Sequence, residues 1–215
     1  MFQSKRDYVF VILAGIFITN AVVAELIGGK LIQIGPFVMS IGILPWPIVF
    51  LTTDLINEYF GQKGVRKLSF ITAALIAYAF IILFFAIQIP AAKGISPVSD
   101  NHFQAVFGQS MWIIAGSIIA FLISQLVDVS IFHYVKKKTG DNKIWMRSTG
   151  STIISQLIDS FVVLGIAFWL PGKINFETFI SSALTGYTFK LSVAVLLTPL
   201  IYLSHYLIRK YIGNS

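Results

Sequence analysis

The chain has 215 residues, 56% of them hydrophobic and only 12% charged, with a mean hydropathy of +0.82 and a formal net charge of +7. A soluble domain carries roughly 25% charged residues, so the composition excludes that class and describes an integral membrane protein. There is no cysteine, which excludes disulfides, thiolate chemistry and zinc–thiolate sites.

A hydrocarbon core about 30 Å thick takes ~20 helical residues to cross. Six stretches of the sequence meet that length. The first covers about residues 8–28, with no charge between Asp7 and Glu25 and with Asn20 in its interior. Basic residues ahead of it and a loose cleavage site at Val22-Val23-Ala24 give it the look of a secretory signal. Its apolar run exceeds the ~7–15 residues of a signal core, so it is expected to stay as a helix.

The second stretch, about 41–59, follows a lead-in with Gly28, Gly29, Gly35, Pro36, Gly42, Pro45 and Pro47, through which no regular helix runs. Two readings of residues 28–44 stay open. One is a segment folded back over the bundle as a cap, since irregular backbone at membrane depth must be buried in protein or line a cavity. The other is an ordinary outer loop, with Pro45 and Pro47 in the first turn of the next helix. Asp54 and Glu58 lie one turn apart near the inner end of that helix, with Arg66 and Lys67 close by in sequence. Together with Arg147 they are expected to form an inner ion-pair cluster or gate.

The third stretch, about 68–89, carries no charge, the fourth (111–134) contains Asp128, the fifth (145–170) contains Asp159, and the sixth (178–208) contains Lys190. The expectation is an all-α protein, a single six-helix transmembrane domain over residues 1–215. With a cytoplasmic N-terminus the inner segments hold Lys5, Arg6, Lys63, Arg66, Lys67, Lys136, Lys137, Lys138, Lys143, Arg147, Arg209 and Lys210, and the outer loops only Lys30, Lys93 and Lys173. That asymmetry puts both termini in the cytoplasm. It also accounts for the pI near 9.6 without nucleic acid as a partner, because the charges sit at helix ends.

Helices four and five each carry a near-identical run, "SQLVD" at Ser124–Asp128 and "SQLID" at Ser155–Asp159. Residues three and four apart share a helix face, so each serine, glutamine and aspartate project together, and Ser148 and Thr152 extend the stripe on helix five. An ionisable group at the bilayer centre costs ~2.5–3.5 kcal/mol on insertion scales and normally marks a pathway or binding site. Gln125, Asp128, Gln156 and Asp159 are therefore read as lining a polar chamber between two antiparallel neighbours. The serines are read as interhelical hydrogen bonders. Asn20 and Glu25 are expected to line the outer half of the chamber, with Lys30 in the loop beyond. For Lys190, an ion pair with Asp128 or Asp159 and contact with a substrate both stay open.

No phosphate loop, H-E-x-x-H or G-x-S-x-G occurs, and His102, His133 and His205 stand apart, so no catalytic residue, metal or cofactor is expected. An intramembrane aspartyl protease is disfavoured because the Gly-x-Gly-Asp context is absent.

The run "LPWPIVFLTTDLINEYFGQKGVRK" resembles the hallmark of the queuosine precursor transporter family, also grouped as vitamin uptake transporters, in which a proline-led helix ends in T-D-x-x-x-E-x-x-G and a basic loop. "RSTGSTIISQLIDSFVVLGIAF" is similar to the same family's pattern at Arg147, Ser151, Ser155, Gln156, Asp159 and Ser160. The resemblance implies the six-helix fold of the substrate-binding components of energy-coupling-factor transporters. It also implies import of 7-cyano-7-deazaguanine and 7-aminomethyl-7-deazaguanine across the inner membrane. A guanine-like ring offers adjacent N–H donors to a carboxylate and a carbonyl to an amide, which suits the glutamine–aspartate pairs. Another vitamin-like or nucleobase solute is the alternative, as is a binding subunit serving a partner ATPase module. Ala14, Gly15 and Ala21 do not make the clean small-residue face that such docking uses. A homo-oligomer and the energy source stay open.

Overall fold

The structure, a computed structural model, describes residues 4–34, 37–109, 111–140 and 144–213; Gly35, Pro36 and Lys143, named above, lie outside these segments. Helix α1 (Lys5–Ile27) starts at Ser4 with a capping box, the Ser4 hydroxyl accepting from the Asp7 amide and the Asp7 carboxylate from the Ser4 amide. It ends at Gly28.

In the glycine- and proline-rich lead-in the strand pairing is something neither sequence reading contained, while the helix start at Pro45 and Pro47 is that of the second reading. Strands β1 (Leu31–Ile34) and β2 (Phe37–Ser40) pair antiparallel in a two-stranded hairpin, followed by a 3₁₀ turn at Ile41–Ile43. The Ser40 hydroxyl donates to the Gly28 carbonyl at 2.6 Å, and Gly42 lies so close to α1 that a Cβ there would stand 2.5 Å from the Ala24 carbonyl oxygen. The hairpin is thereby clasped to the end of α1, and only glycine fits at the clasp. Helix α2 (Trp46–Gln88) then begins, with Pro45 as its N-cap and Pro47 in its first turn, where a missing N–H costs nothing.

Among the described residues, five helical stretches are long and apolar enough to cross a membrane, and the one at 41–88 has 48 residues. At ~1.5 Å per residue that is more than twice the ~30 Å core, so it cannot be one straight crossing. The break is Gly61, at φ 75° and ψ 174°, a conformation that only glycine adopts without strain. Contacts on either side show the reversal. Ser40 holds the far end of α1, the Tyr59 carbonyl accepts from the Arg6 side chain at its near end, and beyond Gln88 the chain is back at the far end. There the Ala91 amide donates to Asp100 at the start of helix α3 (Asp100–Phe107), and Gln109 just past α3 donates to the Glu25 carbonyl at 2.9 Å.

Helix α4 (Met111–Thr139) returns to the near end and α5 (Ile144–Leu164) leaves it. The fifth stretch does not stay α-helical to residue 170: a π turn occupies Gly165–Trp169, which lets Ala167 press on Gly116 of α4. The sixth stretch is two helices, α6 (Phe176–Leu196) and α7 (Thr198–Gly213), because Pro199 has no N–H to offer the preceding turn and its ring crowds the carbonyl there. The Lys5 ammonium over the Tyr211 ring at 5.6 Å brings both termini to one end.

The apolar core joins Phe17 and Ala21 of α1, Val49, Ile56, Val65 and Ile76 of α2, and Phe121 and Val129 of α4. Helix α5 is the exception. Apart from Ile144, its buried face is Arg147, Ser148, Ser151, Thr152, Ser155, Gln156, Asp159 and Ser160, polar throughout, while Ile153, Ile154 and Leu157 face outward. Such an inverted helix suits a lipid surround with a polar interior. The protein is an all-α multi-pass membrane protein.

Candidate functional site

Helices α4 and α5 share the most extensive helix contact in the fold. In each repeat the serine precedes the aspartate by four residues, one helical turn, and the helices run antiparallel. Each serine therefore meets the other repeat's aspartate. Ser155 donates to Asp128 at 3.0 Å, and Ser124 donates to Asp159 at 3.3 Å. The two runs form a reciprocal clasp with local two-fold character, all four side chains being buried.

The two halves then differ. Asp159 makes an ion pair with Lys190 of α6 at 2.5 Å. Asp128 has no cation beside it among the described residues. With Gln125, Gln156 and Ser124 it lines a narrow cleft closed on the α2 side by Trp46, Phe50 and Thr53. Gln125 donates to the Thr53 hydroxyl at 3.2 Å, and the Trp46 and Phe50 rings stack at 5.8 Å and 26°. The cleft has room for about one water molecule, so a planar base enters only as the helices part.

Phe50 is also a wall of a second cavity, on the α5–α6–α7 side, with Asp54, Ser148, Thr149, Thr152 and Leu197. Asp54 is 2% exposed and accepts from the Ser148 hydroxyl. Glu58 is held by Arg147 at 2.8 Å and Lys136 at 3.0 Å. Of the basic residues close by in sequence, Lys67 is exposed and Arg66 reaches Ser130 at 3.1 Å. Arg147 is 1% exposed and also donates to the Gly140 carbonyl at 2.7 Å.

The residues expected along the outer half have separate partners. Glu25 accepts from the Ser117 hydroxyl and lies within electrostatic reach of Asp159 and Lys190. Asn20 spends its amide on the Ile16 carbonyl of its own helix at 2.8 Å, and Lys30 is exposed beside the hairpin. The sequence reading did not pick out Trp46, Phe50, Thr53 or Ser117. The first three recur at helical spacing on one face of α2, a signal legible in the sequence.

The arrangement offers hydrogen bonds and an aromatic wall. No group of three metal-ligating side chains occurs among the described residues. The Asp159–Lys190 pair, with 12% and 14% of its side chains exposed, is expected to hold α6 on α5. Lys190→Ala leaves a buried anion and should cost about 3 kcal/mol, the low end of the ~3–5 kcal/mol for breaking a buried pair. The double variant Asp159→Asn/Lys190→Met should recover most of this. Thermal melting in detergent checks both, and equal melting of wild type and Lys190→Ala contradicts the role.

Three curated relatives share much of the chain. The "Probable queuosine precursor transporter" of Bacillus subtilis (strain 168) is 27% identical over 190 residues, 86% of this chain and 78% of the relative. The "Queuosine precursor transporter" of Escherichia coli (strain K12) is 28% identical over 158 residues, 72% of this chain and 66% of the relative. The "Probable queuosine precursor transporter" of Haemophilus influenzae (strain ATCC 51907 / DSM 11121 / KW20 / Rd) is 27% identical over 161 residues, 73% and 63%. No solved structure matches. The model of one family, described as "Putative vitamin uptake transporter", matches residues 40–204, from the end of the hairpin into α7, and the chain belongs to that family of membrane transporters.

Proposed function

We propose that the protein imports queuosine precursors, 7-cyano-7-deazaguanine and 7-aminomethyl-7-deazaguanine, across the cytoplasmic membrane, as one six-helix unit with the basic end in the cytoplasm. The observation that carries the reading is the cleft itself. It presents one carboxylate, Asp128, with no cation beside it among the described residues, two amides, Gln125 and Gln156, and a stacked Trp46–Phe50 wall. A deazaguanine ring has adjacent N–H donors for the carboxylate, a carbonyl for an amide and a flat face for the aromatics.

In this reading Asp159, neutralised by Lys190, positions Ser124 and with it the α4 wall. The Glu58–Arg147–Lys136 cluster seals the inner end, and it parts when the ring is released. The N- and C-terminal basic residues, brought together by the Lys5–Tyr211 contact, support a cytoplasmic end by the positive-inside rule. The kinship with the binding components of energy-coupling-factor transporters belongs to the same proposal.

Uptake decides. In a precursor-auxotrophic cell, the expressed protein should support uptake of both deazaguanines, and unlabelled guanine-like bases should compete where vitamins of other shape do not. Competition by a vitamin alone moves the assignment to another solute of the same chamber.

A further inference from the structure

Asn57 is fully buried, at 0% exposure, and neither its amide nitrogen nor its side-chain carbonyl oxygen has a hydrogen-bond partner among the described residues. An amide brings two donors and an acceptor. Buried polar groups in native proteins are nearly always satisfied, so one left wholly unpaired calls for an explanation. Its position supplies one. Trp46, Phe50 and Thr53 line the cleft from α2, and Asn57 is the next residue on that stripe, four beyond Thr53, toward the basic end. It therefore stands between the cleft and the Glu58 ion pairs.

Three residues before Asn57 is Asp54, buried, beside the second cavity, and bonded only to a hydroxyl among the described residues. Carboxylate and amide at a spacing of three is also the relation of Gln125 to Asp128 and of Gln156 to Asp159. The pair on α2 is a third shelf of the same chemistry. Phe50 borders both cavities, so it is the partition between the cleft and the cavity that Asp54 lines.

We propose that Asn57, with Asp54 one turn before it, forms a second binding station for the transported ring, inward of the cleft and ahead of the Glu58 cluster. The proposal rests on the reading of the cleft as a site for a guanine-like ring, and adds that the ring pauses on α2 before release. A station on the exit path stabilises a later state, so its loss slows translocation without weakening the first binding step.

The test compares wild type with Asn57→Leu, close in volume and apolar, in detergent and in liposomes, using 7-aminomethyl-7-deazaguanine. Binding is expected to stay within about threefold of wild type, while the initial uptake rate falls by about tenfold or more. Removing an unpaired amide should also leave the ligand-free melting temperature equal or higher. Wild-type uptake by Asn57→Leu overturns the proposal, as does a lower melting temperature with binding and uptake lost together. If Asn57→Leu does not fold, Asn57→Ala carries the same comparison, and wild-type uptake by it overturns the station. A wild-type protein that neither binds nor transports the base overturns the substrate reading instead. The ligand-free melting temperature of Asn57→Leu then still decides for the amide: a fall marks it as structural and ends the proposal.

Discussion

Under the proposed function, Asp128→Asn is expected to raise the KM for deazaguanine uptake by about 10- to 150-fold, the equivalent of the ~1.5–3 kcal/mol that a hydrogen bond to a charged group contributes. The carboxylate accepts from Ser155 and faces the cleft with Gln125 and Gln156. Asparagine keeps the shape and one acceptor for Ser155, but it replaces the second acceptor with a donor that opposes the ring's own N–H groups. The clasp between the repeats therefore survives while recognition suffers. Melting in detergent separates the two. The variant should melt no lower than wild type, because Asp128 has no cation partner among the described residues and its charge is buried at a cost. An unchanged KM removes Asp128 from the ligand site. A fall in melting temperature that matches the loss of uptake makes it a structural residue.

Arg147→Ala is expected to be the most destabilising single change, by about 3–5 kcal/mol. The guanidinium is 1% exposed, bridges Glu58 on α2 and the Gly140 carbonyl ahead of α5, and lies 5.8 Å from the Phe132 ring. Its removal leaves Glu58 with Lys136 alone, a carbonyl unpaired and a void beside the aromatic ring. Lysine does not rescue it, since one ammonium cannot reproduce the fork that serves Glu58 and Gly140 together. Arg147→Met with Glu58→Gln, which removes both charges and keeps volume, should recover a large part of the loss. If Arg147→Ala melts within about a degree of wild type, the inner cluster is not what holds α2 to α5.

The class of the protein was readable without coordinates, because a membrane imposes length and apolarity on each crossing independently of what it packs against. The polar runs on helices four and five were legible for the same reason: each Gln or Asp in hydrocarbon stands out against its surroundings. The hairpin and α3 were not, because short segments outside the core take their structure from what clasps them. Gly28 and Ser40 do this for the hairpin, and Asp100 and Gln109 for α3.

Residue order alone marks a polytopic membrane protein with a polar interior, with basic residues crowding one end and two Ser-Gln-x-x-Asp runs expected to share that interior. These follow from hydropathy and from helical period, which are local. Which carboxylate keeps a cation is set by the packing of helices against one another. The repeats are nearly identical in sequence, yet Asp159 meets Lys190 of α6 while Asp128 faces Trp46 and Phe50 of α2. The likeness ends where the neighbouring helices differ, because partners in an ion pair or a cleft wall come from elements remote in the chain, and no local pattern records them.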